Sequence, residues 1–183
     1  MSNATQIEFM SKNIEIKARL TKRSAVEPLV ARIADSGPEV LVHEDIFFNT
    51  NHGRLKLRIF DDSQGELIYY ERENQAGPKI STYSRLVVER PRDVRALLSS
   101  AYGIRGIVKK QRRVYLVGNT RIHLDEVEGL GEFLELEVVL TPEEQPIAGQ
   151  KIAEELMTRL GIQNADLVDC AYLDLILSQA KAA

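Results

Sequence analysis

The chain is poor in the residues that staple or anchor a fold. Its 183 residues include one cysteine, Cys170, and no tryptophan. One thiol forms no intramolecular disulfide, so the fold must rest on a packed core, as expected in a reducing compartment. Three histidines beside that cysteine are too few for a Cys/His structural zinc set. No apolar run approaches the ~20 residues of a membrane helix. No basic-then-apolar leader pattern opens the chain, and a cytoplasmic location is the expectation. Surplus positive charge is missing too. The formal charge is -3, which gives no global basic field for nucleic acid. Met1-Ser2-Asn3-Ala4 reads as an expression-tag remnant, leaving residues 5–183 as a single expected domain.

What is present is globular: 44% hydrophobic and 28% charged residues. Two-residue alternation marks eight strands, at about 9–20, 40–50, 53–60, 66–73, 79–89, 105–117, 120–128 and 132–140. The turns between most of them are short, as in Asn51-His52-Gly53, Gly77-Pro78 and Gly118-Asn119, so the neighbours are antiparallel. Helical spacing appears after Ser24-Ala-Val-Glu27, from Pro91 to Ala101, after Thr141-Pro-Glu-Glu144, and at about 165–178. The first and third of these starts read as capping boxes. Cys170 falls in the last helix as a buried, inert thiol.

The strands are sided. In NIEIKARL, 13–20, Ile14, Ile16, Ala18 and Leu20 share one face and Asn13, Glu15, Lys17 and Arg19 the other. Arg54, Lys56 and Arg58 share a face, as do Lys79, Ser81, Tyr83 and Arg85. So do Val108, Lys110, Arg112 and Val114; Arg121, His123 and Asp125; and Phe133, Glu135 and Glu137. For any single strand, a solvated face explains this. For the set, another arrangement accounts for more. Eight antiparallel strands close into a β-barrel without edges, and the helices' apolar stripes cover the apolar outer faces. The charged faces then point inward. Such an interior cannot be dry, because unpaired buried charge costs several kcal/mol each. It must hold water, metal and a polyanion.

NIEIKARL, GRLKLR at 53–58, LIYYER at 67–72, KISTY at 79–83, VKKQRRVY at 108–115, RIHLDEVEGLGEFLELE at 121–137 and AYLDLI at 171–176 stand in an order that resembles the CYTH, or triphosphate tunnel metalloenzyme, superfamily, most closely its class IV adenylyl cyclase-like branch. The resemblance implies an α+β fold: a closed eight-stranded antiparallel barrel with helices outside, binding a triphosphate such as ATP with Mg²⁺ or Mn²⁺. It implies metal ligation by Glu15, Asp125, Glu135 and Glu137. It assigns phosphate contacts to Lys17, Lys56, Arg58, Arg72, Lys110 and Arg112; Lys79 and Arg121 join them by facing. Glu15 and Lys17 are the catalytic assignments, Lys17 being one choice of general base beside a metal-bound hydroxide. Asn13 departs from the signature, which has glutamate there, and this weakens a second metal site. His123 reads as a hydrogen-bonded spacer rather than an acid or base.

The expected activity is conversion of ATP to cyclic AMP and pyrophosphate. A triphosphatase acting on thiamine triphosphate, inorganic triphosphate or nucleotides is the alternative, and a non-catalytic nucleotide or polyphosphate sensor the third. A membrane or nucleic-acid partner is not expected; a homodimer is compatible with the sequence. Read as a pair of like charges, Glu135 and Glu137 are expected to leave thermal stability unchanged or raised when neutralised.

Overall fold

The structure, a computed structural model, describes residues 7–182. The strands are β1 (Ile7–Leu20), β2 (Ser36–Phe48), β3 (Arg54–Ile59), β4 (Gly65–Arg72), β5 (Lys79–Val88), β6 (Ile104–Val117), β7 (Thr120–Val127) and β8 (Gly131–Leu140). The helices are α1 (Arg23–Ile33), α2 (Pro91–Tyr102), α3 (Pro146–Leu160) and α4 (Tyr172–Ala182), with a 3₁₀ turn at Asn164–Asp166. The strands close in the order β1-β5-β4-β3-β2-β6-β7-β8, every pairing antiparallel. Five pairings are hairpins between successive strands. The ring is completed by three long-range pairings, β1 with β5, β1 with β8, and β2 with β6. No helix among the described residues is long and apolar enough to cross a membrane.

The barrel's apolar faces point outward under helices. α1 and α3 cover Ile14, Ile16, Ile122, Leu124, Leu134, Leu136 and Val138 with Val30, Ala153, Leu156 and Leu160. α2 covers Ile46, Leu57 and their neighbours. Gly149 lets α3 approach closely: a Cβ there would stand 2.8 Å from both Ile14 and Leu140 side-chain atoms. A third apolar cluster lies at one end of the barrel. Phe47, Val108, Val127 and Phe133 meet Tyr172 and Leu173, which start α4, and together they cork that end. Gly106 leaves room for Leu173, which occupies the space a side chain would need.

Three local expectations are corrected. α1 starts at Arg23 without a side-chain cap. The Arg23 backbone N–H donates to Glu132 at 2.7 Å, and Glu27 accepts from the Tyr115 hydroxyl at 2.9 Å instead of closing a capping box. Glu144 does accept the Thr141 backbone N–H, at 2.7 Å, but this holds a turn, and α3 begins at Pro146. The last helix starts at Tyr172 rather than 165 because the segment before it is held extended against β1. Leu167 bridges Ala18, and the Val168 N–H donates to the Lys17 carbonyl at 2.9 Å. Cys170 therefore lies ahead of the helix, half-buried, with its carbonyl accepting from the Lys17 ammonium at 3.2 Å.

Candidate active site inside the barrel

The lumen is a cavity of about 340 Å³. Eight cationic side chains line it: Lys17, Lys56, Arg58, Arg72, Arg85, Lys110, Arg112 and Arg121. Six acidic ones face them: Glu15, Glu39, Asp45, Glu66, Glu135 and Glu137. A chain of net charge -3 thus folds around a cation-rich interior. The cause is register. β1 sets Glu15 beside Glu137 and Lys17 beside Glu135, while β7 sets His123 beside Glu135 and Arg121 beside Glu137.

Near the cork, Asp125 is fully buried and saturated. Arg112 grips it through two hydrogen bonds of 2.7 and 2.6 Å. Lys110 and the Tyr172 hydroxyl each add one at 3.1 Å. Burial alone would raise the Asp125 carboxyl, but Arg112 and Lys110 hold it well below the usual range. Lys17 lies over the Tyr172 ring, 4.0 Å from its centre, and pairs with Glu135 at 3.1 Å. Burial lowers its ammonium pKa, against the pull of Glu135. Across the lumen Asp45 is similarly taken: Arg58 bonds both its oxygens, at 2.8 and 3.0 Å, and Lys56 reaches it at 2.9 Å. Burial brings Lys56 down to about 8. Arg72 pairs with Glu15 at 2.7 Å, yet its Nε and Nη2 are buried without a hydrogen-bond partner. Those two donors are available to an anion.

Of the upper acids, Glu135 is taken on both oxygens, by Lys17 and by Arg112, and Glu137 is the less occupied. Glu137 accepts from Arg121 at 2.9 Å, and its other oxygen stands 3.6 Å from His123 Nδ1. Glu135 lies 3.8 Å from the same nitrogen. Ligand atoms of His123, Glu135 and Glu137 all fall within 4.8 Å of one another. Burial and Arg112 lower the His123 pKa, so the imidazole is neutral, and its Nδ1 is buried with no hydrogen-bond partner. Asn13 Oδ1, in the same lumen, is also unpartnered. Two carboxylates and an unpartnered imidazole nitrogen, with an amide oxygen elsewhere in the lumen, fit a divalent cation that favours oxygen and tolerates nitrogen.

Of the residues singled out from sequence, Glu15, Lys17, Lys56, Arg58, Arg72, Lys110, Arg112, Arg121, Glu135 and Glu137 all line this cavity. Two do not. Asp125 lies behind Arg112, and His123, which does line the cavity, stands with Glu135 and Glu137 in its place. Lys79 is turned away, donating to the Gln75 carbonyl at 2.8 Å and the Val168 carbonyl at 3.3 Å, and burial lowers it to about 8. Sequence reasoning overlooked Asp45, Tyr172 and the cavity-lining Glu39, Leu41 and Phe60. The alternation Glu39, Leu41, His43, Asp45, Phe47 along β2 carries the signal for four of that strand's lumen positions.

The sequence profile of the CYTH domain matches residues 11–172. The chain is similar to adenylate cyclase CyaB of Aeromonas hydrophila, 26% identical over 175 residues, covering 88% of this chain and 87% of that one. It is 25% identical over 178 residues to a Methanocaldococcus jannaschii protein whose name proposes an adenylate cyclase, covering 88% of this chain and 97% of the relative. Its fold matches the PH1012 protein of Pyrococcus horikoshii OT3 with a TM-score of 0.80 at 24% identity, covering 89% of this chain and 98% of the other.

Proposed function

The chain belongs to the CYTH family, and from that premise we propose that it is a metal-dependent enzyme converting ATP to cyclic AMP and pyrophosphate. The observation that carries the reading is the lumen itself. A closed barrel gathers a surplus of cations, leaves Arg72 donors unused, and sets Glu137 and an unpartnered His123 nitrogen beside them. The two relatives named for adenylate cyclase favour the cyclase over other triphosphate chemistry.

In this reading Lys56, Arg58, Arg72, Lys110, Arg112 and Arg121 replace the water around the triphosphate. Glu135 and Glu137, with His123 and with Glu15 near by, would hold Mg²⁺ or Mn²⁺. When bound there, such an ion would supply Lewis-acid stabilisation of charge on the phosphoryl oxygens. Asp125 and Asp45 orient the cations rather than the metal. Lys17, in its neutral form, takes the proton of the ribose 3′-hydroxyl as that oxygen bonds to the α-phosphorus. The α–β bridging oxygen leaves with the pyrophosphate, whose added charge is met by the arginines already in place.

Purified protein with ATP and Mn²⁺ tests this directly. Cyclic AMP with equimolar pyrophosphate is the expected result. Orthophosphate without cyclic AMP replaces the cyclase with a triphosphatase. Tight ATP binding without turnover under any divalent cation replaces both with a sensor, the outcome for which Asn13 leaves room.

A further inference from the structure

The cork closes only one side of its end of the barrel. Its buried apolar residues come from β2, β6, β7, the turn at Leu130, β8 and the start of α4, with Tyr70 of β4 at the margin. β3 and β5 contribute nothing to it. On their side a second cavity, of about 720 Å³, lies against the same end, where β3, β5 and β6 begin and β4 finishes. Its charged walls are Arg54, Arg72, Lys79 and Arg105, with Glu71 and Glu73. Arg72 is the one described residue that lines both this cavity and the lumen, and its side chain is only 5% exposed.

These cations are held in place but not used up. Asp174, in the first turn of α4, accepts from Arg54 and Arg105 on separate oxygens, each at 3.1 Å. That sets two guanidinium groups side by side and engages one of the five N–H donors of half-exposed Arg105. Lys79 donates to main-chain carbonyls and pairs with no carboxylate among the described residues. Glu15 holds one nitrogen of Arg72, whose Nε and Nη2 have no partner. Of the two acids in the wall, Glu71 already accepts from the Tyr69 hydroxyl at 2.5 Å. Cations converging from four strands suit a compact anion with several oxygens, not a single carboxylate. We propose that this cavity is a second anion site, for a short inorganic phosphate chain such as pyrophosphate, and that Arg72 is the wall it shares with the lumen. The choice of pyrophosphate, the product of the proposed reaction, rests on that reading; the site itself rests on these cations.

The test is equilibrium dialysis of the full chain against radiolabelled pyrophosphate, in EDTA so that no divalent cation bridges the anion to the protein. Two pyrophosphates per chain are expected. Arg105→Gln, at a half-exposed position outside the lumen, should weaken one of them by about tenfold and keep the fold. Adding Lys79→Gln should leave a single bound anion. Arg58→Ala, inside the lumen, should weaken the other and spare this one. One pyrophosphate per chain, lost in Arg58→Ala and untouched by Arg105→Gln, overturns the second site while leaving the phosphate reading of the lumen standing. One per chain with the opposite response keeps the second site and removes that reading. Two per chain, neither moved by Arg105→Gln, overturn the placement in this cavity. No bound pyrophosphate overturns both.

Discussion

Asp125 and Glu137 sit on neighbouring strands, share the inner face of one barrel, and differ in nearly every other respect. Asp125, against the cork, has no exposed surface and spends its oxygens on Arg112, Lys110 and Tyr172. Glu137, higher up, has one guanidinium partner and faces an imidazole nitrogen that has no hydrogen-bond partner. The residue types alone do not separate them. The count of donors around each does. A carboxylate saturated by cations is a structural anion that fixes where those cations point. An unsaturated one is free to ligate. The deep lumen is thus an ion lattice, and the upper lumen holds the less committed carboxylate, the one the proposed metal would use.

The largest effect separating the two levels is expected from Glu135→Gln with Glu137→Gln. Metal-dependent turnover should fall by roughly a thousandfold or more, with loss of Mn²⁺ binding by titration. The sequence alone led to the expectation of unchanged or higher thermal stability. The ion pairs reverse it: Lys17, Arg112 and Arg121 each lose a carboxylate partner, so the melting temperature should fall. A melting temperature that rises would mean these acids repel one another more than they hold their cations.

Asp125→Asn probes the lattice. It leaves Arg112 and Lys110 short of a buried counter-charge, a loss of about 3–5 kcal/mol in denaturant unfolding. Mn²⁺ affinity of the folded fraction should change far less than in the Glu135/Glu137 variant. Equal losses of metal affinity would erase the distinction between deep and upper acids. Arg58→Ala comes next, weakening triphosphate binding by about tenfold to a hundredfold. Lys56 still pairs with Asp45, so the fold should survive. An unchanged triphosphate affinity would remove Arg58 from the site.

Much of this architecture is legible in the alternation of single strands. Glu15 against Ile14 and Ile16, or Glu135 and Glu137 against Leu134 and Leu136, already says that one face is dry and the other charged. That the charged faces converge follows only from closure, which depends on three pairings between strands remote in sequence. Saturation is still less visible. Asp125 lies in the same alternation as His123, and nothing local distinguishes the acid that binds arginine from the imidazole that remains unpartnered. The cork was hidden for another reason. Phe47, Val108 and Phe133 share inner faces with charged residues, and only the arrival of Tyr172 and Leu173 makes that end apolar. Glu39 and Leu41 were missed because β2 mixes acid and apolar residues on its inner face, so it shows no charge alternation, and Phe60 because it lies past the end of β3.

The smallest effect concerns pH and the lattice across from Asp125. Lys56 is brought to about 8 by burial, with Arg58 and Lys110 lowering it further and Asp45 opposing them. The rings of Phe47 and Tyr70 lie 5.6 and 5.7 Å from its ammonium. Below pH 8 the folded protein carries this charge, and a triphosphate meets it. Above pH 8 the free protein has lost it, and binding must first restore the proton. Affinity should then fall as pH rises, by at most tenfold per unit. Stability runs the other way. An unfolded lysine keeps its proton to about 10.4, so between that value and 8 the unfolded state binds more protons and stability rises with pH. The penalty for charging Lys56 is fully present below pH 8. Titrating inorganic triphosphate without metal from pH 6.5 to 9.5 reads the first trend, and urea unfolding over the upper range reads the second. Lys56→Met should flatten both. If the affinity slope persists in that variant while Lys79→Met, altered outside the cavity, removes it, then the charge felt by the phosphates belongs to the outer lysine and the deep lumen ends short of Lys56.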